Sequence, residues 1–215
     1  MPALQIVPDG CIDIVWTGVR LLVAGPDTKP IVERFAPGTT IIGVRFRPGA
    51  APPWLGVPAS ALLNGRVPLH DLWGADARRL QDRLLTAQNP AETIMSALLA
   101  RDRKASLQDD APRAVLAALT CTDGVPPSVP ALARQLGFSE RTLRRRCEAA
   151  FGYSPKTLAR ILRFQRFLRL LRRSTDPNLA DIASASGFAD QAHLTRDVRV
   201  LGGLTPGGFL DQLAA

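Results

Sequence analysis

Along residues 1–75 the apolar stretches are short and are punctuated by Pro8-Asp9-Gly10, Thr17-Gly18, Gly25-Pro26-Asp27, Pro37-Gly38 and Pro48-Gly49. Brief apolar runs bounded by Gly, Pro and Asp are the pattern of strands and tight turns. Strands are predicted over residues 11–16, 20–24 and 41–47; in the last, Ile42, Val44 and Phe46 share one face while Arg45 and Arg47 share the other. After Pro52-Pro53-Trp54 the period lengthens. Residues 75–87 place Leu80 and Leu84 on one stripe, and residues 91–100 do the same with Ile94 and Leu98, so helices follow a small sheet or partial barrel.

The C-terminal half is helical in period, and it repeats. One copy runs Leu132-Ala133-Arg134-Gln135-Leu136-Gly137-Phe138, continues through Ser139-Glu140-Arg141-Thr142-Leu143 and closes on Gly152-Tyr153-Ser154-Pro155. The other runs Ile182-Ala183-Ser184-Ala185-Ser186-Gly187-Phe188, continues through Asp190-Gln191-Ala192-His193-Leu194 and closes on Gly203-Leu204-Thr205-Pro206. The offset is 50 residues before the turn and 51 after it, because the second turn has gained one residue. Each copy reads as helix, glycine turn, helix: Gly137 and Gly187 take the left-handed conformation that ends a helix, and Ser139 and Asp190 cap the next.

On the second helix of the first copy Leu143, Cys147 and Ala150 point inward, which puts Arg141, Arg145 and Glu148 on the opposite face. In the second copy Leu194, Val198 and Leu201 point inward, and Ala192, Arg196 and Arg199 point outward beside Gln191. This is the arrangement of a helix-turn-helix, whose second helix offers the exposed side of its N-terminal half to base edges in the major groove. The two units occupy about 128–152 and 178–203. Between them residues 155–173 contain no Gly and no internal Pro, and Leu158, Ile161, Leu162, Leu168 and Leu171 recur among arginines. One helix of about 28 Å is predicted, near the ~34 Å repeat of successive major grooves, and it acts as a spacer.

Charge sharpens the reading. The chain of 215 residues carries +8, with 12 basic against 11 acidic residues up to residue 110 and 15 against 8 after it. Within 141–173 there are ten Arg and one Lys against Glu148 alone. Arginine's planar fork grips phosphate or guanine bidentately, which makes double-stranded DNA the leading partner.

Other chemistries are thin. Cys11, Cys121 and Cys147 are odd in number and widely spaced, which supports neither a disulfide framework nor a zinc clip, and His70 and His193 are too few for a histidine metal centre. No cofactor is expected. Asp9, Asp13 and Asp27 lie near turns and are read as capping their own backbone, and Trp16, Trp54 and Trp73 as core aromatics. With no run of 18 apolar residues and no leader-like start, a cytoplasmic chain without a membrane partner is expected.

The repeat, its linking helix and the phrases Gly187-Phe188-Ala189-Asp190-Gln191-Ala192-His193-Leu194 and Gly203-Leu204-Thr205-Pro206 resemble the DNA-binding domain of AraC-type transcription regulators over residues 112–212. Pro8-Asp9-Gly10-Cys11-Ile12-Asp13, Val23-Ala24-Gly25-Pro26 and Gly43-Val44-Arg45-Phe46-Arg47-Pro48-Gly49-Ala50 resemble the small β-rich, sensor-like domain that precedes it in one branch of that family. The fold class is then α+β. A β-rich N-terminal domain, cupin-like or a partial barrel, carries helices at its end (1–105), and an all-α domain of two helix-turn-helix units follows (112–212). The resemblance implies a non-enzymatic, sequence-specific regulator with a small-molecule effector or a homodimer contact at the N-terminal domain. Carried over by position, Arg141 and Arg145 face bases with Ser139 and Thr142 on phosphate, and Gln191 and Arg196 face bases with His193 nearby. Val200 departs from the basic residue common at its position, and Ala192 offers only a short contact. The competing reading is a DNA-targeted enzyme or repair factor with a cupin-like N-terminal domain.

Overall fold

In the computed structural model, residues 3–102, 110–120, 126–174 and 178–214 are described; Cys121 lies outside them. In chain order the strands are β1 (Ala3–Ile6), β2 (Ile12–Trp16), β3 (Leu21–Ala24), β4 (Ile31–Arg34), β5 (Ile42–Phe46) and β6 (Arg66–Pro68). All pairings are antiparallel: β1 with β4 in one sheet, and β5-β2-β3-β6 in the other. The three predicted strands are present within a residue of their expected ends. β1, β4 and β6 were not expected, being short and without clean alternation.

Alternation decides which face of the larger sheet is core. On β2, Ile12, Ile14 and Trp16 are buried, while Asp13 and Val15 face the other way. The buried face is covered by α1 (Pro52–Leu55), a 3-10 turn (Ala59–Leu62), α2 (Leu69–Trp73), α3 (Ala75–Leu85) and α4 (Pro90–Asp102). The stripes expected on the two longer helices are the ones used: Leu80 and Leu84 of α3 and Ile94 and Leu98 of α4 are buried with Ile14 and Val23. Trp16 and Trp73 join this core, with Trp54 packed at its edge.

The second core is all helical: α5 (Ala111–Thr120), α6 (Val129–Gln135), α7 (Glu140–Phe151), α8 (Pro155–Arg173), α9 (Leu179–Ser186), α10 (Gln191–Gly202) and α11 (Pro206–Ala214). Helix α8 has the predicted bounds. Pro155 at its first position needs no amide partner, and Ser154 accepts the Thr157 amide as its cap. It buries Leu158, Ile161, Phe164, Phe167, Leu168 and Leu171, with Leu162 of the expected stripe only partly buried, and α5 and α7 pack on one part of it while α9 and α10 pack on another. Fully burying each such side chain stabilises the fold by about 1.5–3 kcal/mol.

The two cores abut. Tyr153 Oη donates to the Asp27 carbonyl, Gln165 Nε2 to that of Pro8, and Gln5 Nε2 to that of Gly202, each at 2.7 Å. Gly152, the left-handed cap of α7 at φ 79°, lies so close that a Cβ there would stand 2.7 Å from Pro26 Cγ. The β-rich region therefore holds the C-terminal ends of both α7 and α10.

Candidate nucleic-acid interface

In the first unit α6 ends at a left-handed Gly137 (φ 67°), and α7 begins on the cap Ser139, whose Oγ accepts the Thr142 amide at 3.1 Å. Ser139 also donates to Thr142 Oγ1 at 2.9 Å, so both hydroxyls lie together at the helix N-terminus. In the second unit α9 ends on Gly187 (φ 86°), and Asp190 Oδ1 accepts the His193 amide at the start of α10. Both glycines and both caps are those expected from the repeat.

The inward set is also as expected: Leu143, Cys147 and Ala150 of α7, and Leu194, Val198 and Leu201 of α10, are buried. Arg141, Arg145, Gln191, Ala192, Arg196 and Arg199 are exposed. Among the described residues the guanidinium groups of Arg141, Arg145 and Arg196 enter no hydrogen bond or ion pair. Their neighbours behave differently. Arg144 pairs with Glu148 at 2.8 Å, and Arg146 lies 4.7 Å over the Phe138 ring. Each recognition helix thus presents exposed, unpaired guanidinium groups from a capped backbone. Long donors free to meet phosphate or base edges are what a DNA-reading face requires.

His193 is placed at the margin of that face. It is half-buried, its ring meets Phe188 edge-on at 5.3 Å, and its Nε2 lies 3.6 Å from Asp197 Oδ2. Asp197 was missed by sequence reasoning. It is a buried carboxylate that receives Arg160 Nε at 2.7 Å and lies 3.9 Å from Arg163 Nη2. Burial lowers the Arg163 pKa, Asp197 opposes that effect, and the side chain also donates to the Gly187 carbonyl and covers the Phe188 ring. Through Asp197, Arg160 and Arg163 bind the linking helix to α10. Arg169, Arg172 and Arg173 remain exposed.

The acids near the N-terminal turns do more than cap them. Asp9 does accept the Cys11 amide, but Arg45 pairs with Asp9 at 3.0 Å and grips both oxygens of its cross-strand neighbour Asp13. Arg66 grips both oxygens of buried Asp27, with Glu33 at 3.6 Å. These pairs line a cavity of about 550 Å³ between the two sheets, whose lining also includes the apolar residues Leu4, Ile6, Leu22 and Phe35. That size is within the range of small-molecule sites. Among the described residues no three His, Cys, Asp or Glu are grouped so as to hold a metal ion, and no helix is long and apolar enough to cross a membrane. Burial, with Asp9 adding to it, pushes the Cys11 thiol up to about 12, and burial pushes Cys147 up to about 11.

Residues 132–212 match a family model described as a helix-turn-helix domain, and residues 2–68 match one described as a domain of unknown function (DUF6597). No curated protein matches the chain. A probable AraC family transcriptional regulator from Rhodopseudomonas palustris is 26% identical over 49% of this chain and 98% of that one, with a TM-score of 0.43. The C-terminal domain of AraT, a response regulator from Geobacillus stearothermophilus, is 20% identical over 50% of this chain and 88% of that one, with a TM-score of 0.45. ToxT from Vibrio cholerae is 12% identical over 99% of this chain and 89% of that one, with a TM-score of 0.51, a likeness of fold that runs through both cores.

Proposed function

We propose that this chain is a DNA-binding transcription regulator with a helix-turn-helix domain of the AraC type, and that it reads two adjacent major-groove segments on one face of the duplex. The observation that carries this reading is the pair of capped recognition helices, α7 and α10, fastened to one uninterrupted helix, α8. In the first segment Arg141 and Arg145 meet bases, with the Ser139 and Thr142 hydroxyls and the N-terminus of α7 at phosphate. In the second, Gln191 and Arg196 meet bases, and His193 supports them from the helix margin. The protein acts without catalysis, in the cytoplasm, and its N-terminal cavity takes a small-molecule effector.

Docking a basic surface on DNA displaces condensed counterions, so affinity must fall steeply with salt. The test is to select bound duplexes from a random pool and to measure affinity for the winner and for scrambled DNA across a salt series. A steep slope for both, with the winner tighter by ~10³-fold or more, is expected. A flat dependence, or no enriched sequence, would overturn the reading.

A further inference from the structure

The cavity between the sheets has two unlike ends. Its apolar end includes Leu4 and Ile41, which are left 51% and 38% exposed, with Ile6, Leu22 and Phe35 beside them. A chain does not gain by leaving such surface wet beside a concavity, and apolar patches of this kind mark ligand sites. The polar end holds four carboxylates, Asp9, Asp13, Asp27 and Glu33, against two guanidinium groups, Arg45 and Arg66; Thr17, Arg20, His70 and Gln81 also line the cavity, Arg20 from the exposed hairpin turn.

The hydrogen-bond inventory of the polar end is lopsided. Arg45 is held by Asp13 through Nε and Nη2 and by Asp9 through Nη1. Arg66 is held by Asp27 through Nη1 and Nη2, with Nε toward Glu33 and a further donation to the Gly65 carbonyl. Both forks are therefore spent within the protein. Each carboxylate, by contrast, has about four acceptor positions, and most of these stay open. At this end an anionic ligand would meet an excess of like charge and guanidinium forks already taken, whereas a cationic donor would find acceptors on several sides. We propose that this cavity binds an organic amine: an ammonium head seated among Asp9, Asp13, Asp27 and Glu33, with an apolar body against Leu22, Phe35 and Ile41.

The surroundings agree. After burial, the acids are what push the neighbouring Cys11 and Tyr153 pKa values up, as expected where the local potential is negative. The proposal deepens the effector reading above and rests on it.

Calorimetric titration of the full-length protein with three ligands sharing one apolar body separates the two. The ligands are 4-phenylbutylamine, 4-phenylbutanol and 4-phenylbutyrate. The amine is expected to bind at least ~10-fold more tightly than the other two, and Asp13→Asn to weaken it at least ~10-fold while releasing the Arg45 fork, so that 4-phenylbutyrate gains affinity. Glu33→Gln, at a half-exposed position, supplies the same test if Asp13→Asn fails to fold. Preference for the acid or the alcohol would overturn the amine assignment and leave the cavity as a ligand site. Amine binding untouched by the variants would place it elsewhere and also overturn the assignment. Binding by none of the three would overturn both readings.

Discussion

Arg160, on the linking helix, donates its Nε–H to Oδ1 of Asp197 on the second recognition helix at 2.7 Å, and Asp197 is buried while doing so. The pair ties the middle of α10 to the first third of α8, with Arg163 on the same carboxylate. Removing the acid leaves two partly buried guanidinium groups facing apolar neighbours, and an uncompensated buried charge costs more than the pair itself stabilises. Asp197→Ala is expected to lose about 2–3 kcal/mol in denaturant unfolding, and Arg160→Ala, at a more exposed side chain, about 1 kcal/mol. Equal stability of Asp197→Ala and wild type would remove this lock.

Two glycines of similar φ have different surroundings. Gly137 at φ 67° has nothing near its missing Cβ, whereas at Gly152 that atom would stand 2.7 Å from Pro26 Cγ and 3.1 Å from the Ala59 carbonyl oxygen. Gly137→Ala should cost only the left-handed strain of an L-residue, about 1–2 kcal/mol. Gly152→Ala adds a clash with the Pro26 ring and a tight contact with the Ala59 carbonyl at the seam between the cores, so about 3 kcal/mol or more is expected. Unfolding curves of the two variants, compared side by side, check the order.

Both described thiols are held protonated by burial, Cys11 up to about 12 and Cys147 up to about 11 from an ordinary value of 9.0. A raised folded-state pKa gives stability that is complete below the unfolded value and is lost as pH rises through the folded one. Stability should therefore be unaffected by these groups up to about pH 9 and decline from there toward pH 12. Folded Cys121→Ser protein should react slowly with a thiol reagent at pH 8 and fast when unfolded. Rapid reaction of the folded form would revive the repair-factor alternative.

Arg145 and Arg169 are both exposed, yet only Arg145 projects from a recognition helix. Arg145→Ala should cost about 1–3 kcal/mol on the selected site and relax preference within one half of it. Arg169→Ala should weaken all duplexes alike and lower the salt slope. Uniform loss for both variants would contradict base reading by Arg145.

What the sequence made legible was whatever its local period encodes. Leu143, Cys147 and Ala150 recur at helical spacing, and Ser139, Asp190, Gly137 and Gly187 act on amides and dihedrals within a few residues, so the recognition helices could be drawn before any contact was known. Asp197 could not be placed this way, because its partner Arg160 is 37 residues distant and its own position looks like any polar site on an amphipathic helix. The same holds for Asp27. Its turn context suggests a cap, but its carboxylate grips Arg66, 39 residues on, while its carbonyl serves Tyr153. Asp13 and Arg45 face each other because β2 pairs with β5, two strands that no hairpin turn joins. Phe164 shares the face of Ile161 and Leu168 and follows the same period, whereas Phe167 lies just beyond that face and is buried because α8 is covered from several sides.

The central claim is that α8 fixes the two recognition helices at one spacing. Footprinting on the selected site, and on sites with about 5 or about 10 base pairs inserted between its halves, tests it without altering the protein. The rigid arrangement predicts that either insertion lowers affinity at least ~10-fold and leaves one half-site protected, since a helix of about 28 Å cannot follow the displaced groove. Protection of both halves at undiminished affinity on the lengthened sites would contradict it.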